Sequence, residues 1–577
     1  MTMNGPQTTG RTFRNLSEPE HTVHHDTNVA VPVRDGISLM ADVHRPDGHG
    51  RFPALIAASP YPRQSQDLGA PMGFIEAGNT EFWVARGYVH VIANVRGTGG
   101  SGGEFGFFDA VERRDMHDLV EWAAAQPWCD GNVGMIGISY FAMTQLEAAV
   151  ERPPHLKAIF PLAVTADLFE AASHHGLVSS TFITPFLSMM GLTAARSDEF
   201  WRSLPVQFAR KVLNLGPLHR KFGTMNGEAA VTMMHQLLKL PHDPHPWDQL
   251  WLDVFVNHPV RDEWWDERDL TPLLSDIDIP VYLGCDWENV PLHLPSTFIA
   301  WKGLAHNPNV QMGMLDRFGL TWPWESLHEE ALAWYDHWLK GRDTGILDGD
   351  PVRYALPGAP GWRSAPTWPP KAELHEFALR ADGALEPDEG DSGARQFMTV
   401  GAGTGRVKVS VIDPPASLTW TSAPLEADVD IVGEIELRMI ASATAADAAW
   451  IVTLQDVAPD GEVTDVTAGW LRAGLRAIDE AASTPGAPVL PCRIPVAVPI
   501  GAEIEYRIPL VPNARRFAAG HRLRLVIAGD DQDPQTPAIM NFRHAGVGTS
   551  SRNTVRSSSR LLLPVLEVLI EPQSPPE

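Results

Sequence analysis

Cysteine is scarce: the 577 residues hold three, Cys129, Cys285 and Cys492, far apart in the chain. So few and so dispersed, they make neither a disulfide framework nor a zinc-ligand spacing. Basic residues are also in deficit. Lys and Arg number 45 against 71 Asp and Glu, a formal net charge of −26. A chain this acidic repels phosphate backbones, which disfavours nucleic acid as a partner. No apolar run reaches the ~18 residues that a membrane span needs. The opening stretch MTMNGPQTTGRTFRNLSEPEH lacks the apolar core of a secretory signal. The expectation is a cytoplasmic protein with no membrane partner. The run His242-Asp243-Pro244-His245 brings two histidines together, but Pro244 and Pro246 make it a rigid loop rather than a metal site. No metal and no cofactor is expected.

What is present is globular. Apolar residues make up 44% and charged residues 20%, enough to bury several cores, and the length implies two or three domains of roughly 100–200 residues each. After a polar N-terminal arm, 1–27, short apolar runs at 54–58, 89–93, 133–136 and 158–163 alternate with helical stretches. The clearest helix covers about 111–125, where Met116, Leu119, Val120 and Ala123 share one face. Asp109, three residues before Glu112, has the spacing of a capping box at its start. Such alternation implies βαβ units and a largely parallel sheet. Residues 171–275 are rich in helix formers, Met and Trp, and read as a helical insertion. The α/β pattern resumes with strands at 279–284 and 309–314 and a helix at about 325–340, ended by Gly341. Beyond about 350 strands replace helices. In 521–527 Leu523, Leu525 and Ile527 alternate with arginines, and similar runs fall at 431–439 and 450–454. The texture is that of a β-sandwich or jelly roll. The expected divisions are an arm (1–27), a core in two pieces (28–170 and 276–345), a cap (171–275) and a sandwich (346–577).

One stretch carries chemistry. In VGMIGISYFAM, 133–143, a buried strand runs through Gly137-Ile138-Ser139-Tyr140 directly into a helix. A serine on so sharp a turn stands above the sheet at the positive end of the helix, as a nucleophile does. A serine that merely caps the helix is the alternative. The second glycine of the usual elbow is absent, and Phe141 takes its place.

The surrounding runs settle the choice by likeness. NVRGTGGSGGEFGFF (94–108) and QPWCDGNVGMIGISY (126–140) resemble the cocaine-esterase and X-prolyl dipeptidyl-peptidase hydrolases, the CocE/NonD family. So do VPVRDGISLMADVHRP (31–46), SPYPR (59–63), YDHWLKG (335–341), GWLRAGLR (469–476) and GHRLRLVIA (520–528). The likeness runs in order over nearly all of 28–570. It implies an α/β-hydrolase core with an inserted helical cap and a C-terminal jelly-roll β-sandwich. It implies acyl chemistry on a small-molecule ester, amide or thioester, and a possible homodimer. Ser139 matches the nucleophile, and Tyr61 and the backbone N–H of Tyr140 match the oxyanion donors.

The resemblance breaks at the other two members of the triad. With Trp287 in register, Asn289 stands where the family has its aspartate. With Gly313 in register, Arg317 stands where it has its histidine. Arginine stays protonated and cannot act as a base, and asparagine has no charge to offer an imidazolium. Glu288, Asp286, Asp316, His293 and His306 are the candidate substitutes, and Cys285 is read as a buried apolar residue. Arg317 and Asn289 beside Ser139 and Tyr61 would also form a donor-rich pocket for a carboxylate or enolate, which suits a lyase, decarboxylase, isomerase or cyclase. A catalytically silent binding protein is the third possibility. Phe182, Phe186, Met189, Met190 and Trp201 in the cap are candidates for an apolar wall over the site.

Overall fold

The apolar runs become inner strands because helices cover both faces of the sheet that they form. In chain order the strands are β1 (Val23–Pro32), β2 (Ser38–Pro46), β3 (Phe52–Ser59), β4 (Val89–Asn94), β5 (Cys129–Met135), β6 (Leu156–Ile159), β7 (Val281–Asp286), β8 (Val310–Leu315), β9 (Val352–Ala355) and β10 (Trp362–Ala365). Every residue of β4, β7 and β8 is buried, as expected of parallel strands packed on two sides. In space the order is β1-β2-β4-β3-β5-β6-β7-β8-β9-β10. The run from β4 to β9 pairs in parallel, with antiparallel β1, β2 and β10 at the edges. This computed structural model describes all residues except 1–2, 49, 67–74, 195–197, 214, 216–245, 389, 400–415, 532–541, 548–549 and 567–577. The 242–245 run and much of the cap lie outside the described residues.

The helices that matter for the site are α1 (Ala110–Ala124), α2 (Tyr140–Val150), α3 (Ser180–Thr193), α4 (Leu294–Gly303) and α5 (His328–Trp338). The Asp109 carboxylate caps α1 by accepting the N–H groups of Val111 and Glu112. Glu112 does not reach back to complete a capping box. It points inward and accepts the Tyr140 hydroxyl at 2.7 Å. Sequence spacing alone cannot tell a returning carboxylate from a buried one.

The sheet is wider than the sequence divisions. It begins at Val23, inside the stretch read as an arm, and runs on to Ala365. The residues before it are not loose. Thr9 and Ser17 donate to the buried carboxylates of Glu330 and Asp336 on α5, at 2.8 and 2.6 Å. Polar residues strapped to buried acids look like solvated ones in a sequence. The remainder of the chain, from Glu373 to Val565, forms mostly antiparallel strands of a near-closed β-sandwich. Its centre is the long strand 429–443, which pairs with 504–517, 551–556 and 560–565.

The glycine-rich run 94–103 holds up the loop that follows β3. Asn94 donates from Nδ2 to the carbonyls of Ser59 and Tyr61, and its Oδ1 accepts from Arg63. Arg63 donates onward to the Gly99 carbonyl and to Asp42, and both partners of the Arg63–Asp42 pair are buried. A Cβ on Gly99 would lie 2.0 Å from Asn94 Oδ1, so no larger residue fits there. Arg63→Met leaves Asp42 as an uncompensated buried charge. Urea denaturation should show a loss of about 3–5 kcal/mol; a change below 1 kcal/mol would contradict the part assigned to Arg63.

Candidate active site

Ser139 sits at the turn between β5 and α2 with φ 59° and ψ −123°, in a region that a side chain rarely adopts. It occupies the N-cap position of α2, yet its side chain makes no capping hydrogen bond. The simple helix-capping role is therefore excluded. Strain at a nucleophile held above a strand–helix turn is the mark of the elbow. Gly137 permits it: φ there is +126°, and a Cβ would fall 2.4 Å from the Cβ of Phe141. Phe141, where a second glycine was expected, packs against the Tyr61 ring at 6.0 Å.

The Ser139 hydroxyl has an imidazole against it. His293 Nε2 lies 3.2 Å from Ser139 Oγ. The expectation that Arg317 is the group facing the serine is corrected here: the imidazole of His293, one of the candidate substitutes, lies against it. His293 stands at the start of α4, on the loop after β7, and is 3% exposed. Its Nδ1 lies 3.1 Å from Thr165 Oγ1, and the ring is also bonded to the Val164 carbonyl. With its one proton on Nδ1, donated to Thr165 Oγ1, the neutral ring presents Nε2 as the acceptor for the serine hydroxyl. Burial pushes the His293 pKa down to about 3, so the ring is neutral at ordinary pH, as a base must be.

Asn289 lies in the same turn but not at the serine. Its side-chain Oδ1 accepts the His293 backbone N–H at 3.3 Å, and its carbonyl accepts from Leu294. It shapes the turn that presents the imidazole. Arg317 pairs with Glu288, Nε to Oε2, and its own N–H donates to Asp316. The acid that answers the arginine is thus Glu288, one residue before the position that the Trp287 register gives. Asp286 accepts the Leu320 N–H at 3.1 Å, and burial, helped by Glu288, raises its pKa to about 7. His306 bonds to the Ile277 carbonyl at the far end of β7 and plays no part. Cys285 is fully buried, and burial drives its thiol pKa well up, as befits an inert residue.

Tyr61 is buried, and its hydroxyl is hydrogen-bonded with Ser139. Burial, and then the nearby Glu76, holds its pKa well above the ordinary phenol range, so it stays a donor. Tyr140 is the first residue of α2, where a backbone N–H has no intrahelical acceptor. Glu76 itself is a buried acid that the sequence reading missed. Its Oε2 has no hydrogen-bond partner among the described residues, and burial keeps it protonated. Thr165 and Val164 were missed too, because nothing in a Val-Thr pair marks it as an imidazole clamp. In the cap, Phe186 stacks on Phe107 and Phe182 on Phe542, while Met189, Met190 and Trp201 are buried.

The profile described as X-Pro dipeptidyl-peptidase (S15 family) matches residues 35–316, and that of the X-Pro dipeptidyl-peptidase C-terminal non-catalytic domain matches 344–541. The chain belongs to the CocE/NonD family. It is 28% identical over 553 residues to the cocaine esterase of Rhodococcus sp. (strain MB1 Bresler), covering 88% of this chain and 90% of that one. In fold it is similar to a CocE/NonD family hydrolase from Staphylococcus aureus, with TM-score 0.73, 21% identity and 94% of each chain covered. It is also similar to an α-amino acid ester hydrolase, with TM-score 0.68, 17% identity, and 97% of this chain and 99% of that one covered. This membership makes it an α/β-hydrolase of the esterase and peptidase kind. Among the described residues no group of His, Cys, Asp and Glu could hold a metal ion, and no helix is long and apolar enough to cross a membrane.

Two pH dependences follow. The pKa of His293 in the free enzyme is about 3 rather than 6.5, so its protonation sets in only in strong acid. The value of kcat/KM for an ester should not fall as the pH drops from 8 to 5, and an acid limb centred near 6.5 would refute the neutral buried imidazole. Behind Tyr140, burial pushes Glu112 up to about 8 and raises Glu147 with it. These acids keep their protons in the folded state and lose them on unfolding. Their contribution is full below about pH 4.5 and is lost as pH rises toward 8. Glu112→Gln, which keeps an acceptor for Tyr140, should flatten the fall in Tm between pH 6 and 8.5; an unchanged slope would argue against the buried acid.

Proposed function

We propose that this protein hydrolyses a small-molecule acyl ester through a Ser139–His293 dyad. The observation that carries the reading is the 3.2 Å contact between His293 Nε2 and Ser139 Oγ. In the first step Ser139 Oγ bonds to the acyl carbon and its proton passes to His293 Nε2. The oxyanion is stabilised by the Tyr61 hydroxyl and the Tyr140 N–H. Collapse of the tetrahedral species breaks the bond to the leaving alkoxide, which takes the proton from Nε2. A water then gives its proton to Nε2 and attacks the acyl carbon. Release of the carboxylic acid returns the proton to Ser139.

Thr165 and Val164 stand where a carboxylate would normally face Nδ1. They hold the ring but give no charge to an imidazolium. In serine proteases, replacing the orienting aspartate by asparagine costs about 10⁴ in kcat. The dyad is therefore expected to be slow and to favour esters with good leaving groups over amides. The esterase named among its relatives supports the ester reading. A non-hydrolytic role would need the Arg317 guanidinium free beside the serine, and it is paired with Glu288.

A fluorophosphonate probe tests the dyad. Labelling should vanish in Ser139→Ala and slow at least about 100-fold in His293→Gln. Thr165→Val, which leaves the Val164 carbonyl in place, should lower kcat roughly 10-fold with little change in KM. Labelling that survives His293→Gln unchanged would rule this histidine out as the base.

A further inference from the structure

One buried titratable cluster outside the serine site ties three parts of the chain together. His174 lies in the cap hairpin 173–178. Its Nε2 is 2.5 Å from the carbonyl oxygen of Pro291, two residues before His293. Its Nδ1 is 2.7 Å from His544 Nε2, in the C-terminal domain. His544 Nδ1 lies 3.0 Å from Asp531 Oδ1, and the His544 backbone N–H donates to Asp531 Oδ2 at 2.6 Å. The His174 ring stacks on Trp470 at 4.3 Å, and both imidazoles are 3% exposed. The segment around His544 is laced to the cap: Ala545 N–H donates to the Val178 carbonyl, and Thr181 N–H to that of Arg543.

The protons of this chain can be counted. A carbonyl closes one end and a carboxylate the other, and both accept. Burial alone would raise the Asp531 pKa, but His544 outweighs it and holds the carboxyl below its ordinary range. Three links between two acceptors need three protons on two rings, so one ring is an imidazolium. His544 carries it, because that ring faces the carboxylate. His174 is kept neutral by burial and by His544. Among the described residues, charged groups nearby include His175, set against Glu170 at 3.6 Å; Arg472, bound to Asp447 at 2.8 Å; and Arg543, next in the chain.

We propose that the Asp531–His544–His174 chain is a positioning device for the base: a protonated His544 from the C-terminal domain orients His174, which holds the Pro291 carbonyl and with it the turn that delivers His293 to Ser139. Loss of one proton breaks one of the three links and slackens that turn. The inference rests on the reading of His293 as the base.

The test compares kcat and KM for a 4-nitrophenyl ester between pH 6 and 9, with fluorophosphonate labelling rates alongside. The full-length proteins are wild type, Asp531→Asn and His544→Gln. Wild-type kcat should fall toward alkaline pH to a lower plateau. Both variants should sit on that plateau at every pH, between about 10- and 100-fold down, with KM within about twofold of wild type. A merely structural chain would lower Tm without this split. Folded variants with wild-type kcat across the range would overturn the proposal. Should the variants fail to fold, imidazole ¹⁵N signals of wild-type His544 decide instead: titration with the midpoint of the kcat fall supports the device, and a different midpoint overturns it. Wild-type protein that neither labels nor hydrolyses sinks the hydrolase reading and this inference together. Normal wild-type activity indifferent to both variants sinks this inference alone.

Discussion

The contact between His293 Nε2 and Ser139 Oγ is made in a dry place, and that dryness governs the rest of the site. Tyr61, Glu76, Asp286 and His293 are all buried, and each has its pKa moved toward the neutral form chiefly by burial. Every ionisation there is disfavoured until chemistry demands one. The same low dielectric strengthens whatever the Tyr61 hydroxyl and the Tyr140 N–H donate to a developing oxyanion. The site gains on the oxyanion and loses on the imidazolium, which has the positive end of α4 beside it and no carboxylate against Nδ1. Its balance differs from that of a Ser-His-Asp triad even though its first step is the same.

The Glu288–Arg317 pair is the counterpart of that change. A cation where a base is expected would, if unpaired, place a permanent charge close to the nucleophile and favour a bound anion. Paired with Glu288 and three-quarters buried, it is neutralised within the wall. A buried ion pair is weak evidence of added stability, but truncating either partner leaves the other charge exposed to the desolvation cost. The pair therefore reads as a structural replacement at these two positions, with the proton-transfer role moved along the chain to the start of α4.

Much of this was legible in the sequence. The periodicity of α1, the all-buried β4 and the alternation in 521–527 follow from local spacing, and the α/β-hydrolase core, cap and sandwich follow from the ordered motifs. Ser139 and Tyr61 sit in runs whose residue types demand the geometry. The histidine was legible only by residue type, as one of five candidate substitutes, because register arguments assume that a role stays at its position. His293 lies four residues from Asn289 and reaches the serine only because the Asn289 side chain closes the turn before α4. Thr165 comes from the far side of β6, 128 positions away, and no local pattern encodes that meeting. The strap before β1 and the inward turn of Glu112 failed to register for another reason: a polar side chain satisfied inside the protein leaves the same trace in sequence as one satisfied by water.

The loop between β7 and α4 is where the parts of the fold meet. Its Trp287 ring donates to the Ala355 carbonyl at 2.7 Å, which fixes one end to the sheet. Its Pro291 carbonyl is held by the cap through His174, and the cap hairpin is in turn bonded to the C-terminal domain through His544. A loop that carries a base with no carboxylate partner has few other means of keeping its imidazole in place. The bonds from Thr165 and Val164 set the ring's rotation, but they do not set the backbone from which it projects. That constraint comes from outside the α/β core. The C-terminal domain, through its bond to the cap, thus bears on that chemistry by limiting where the imidazole can stand.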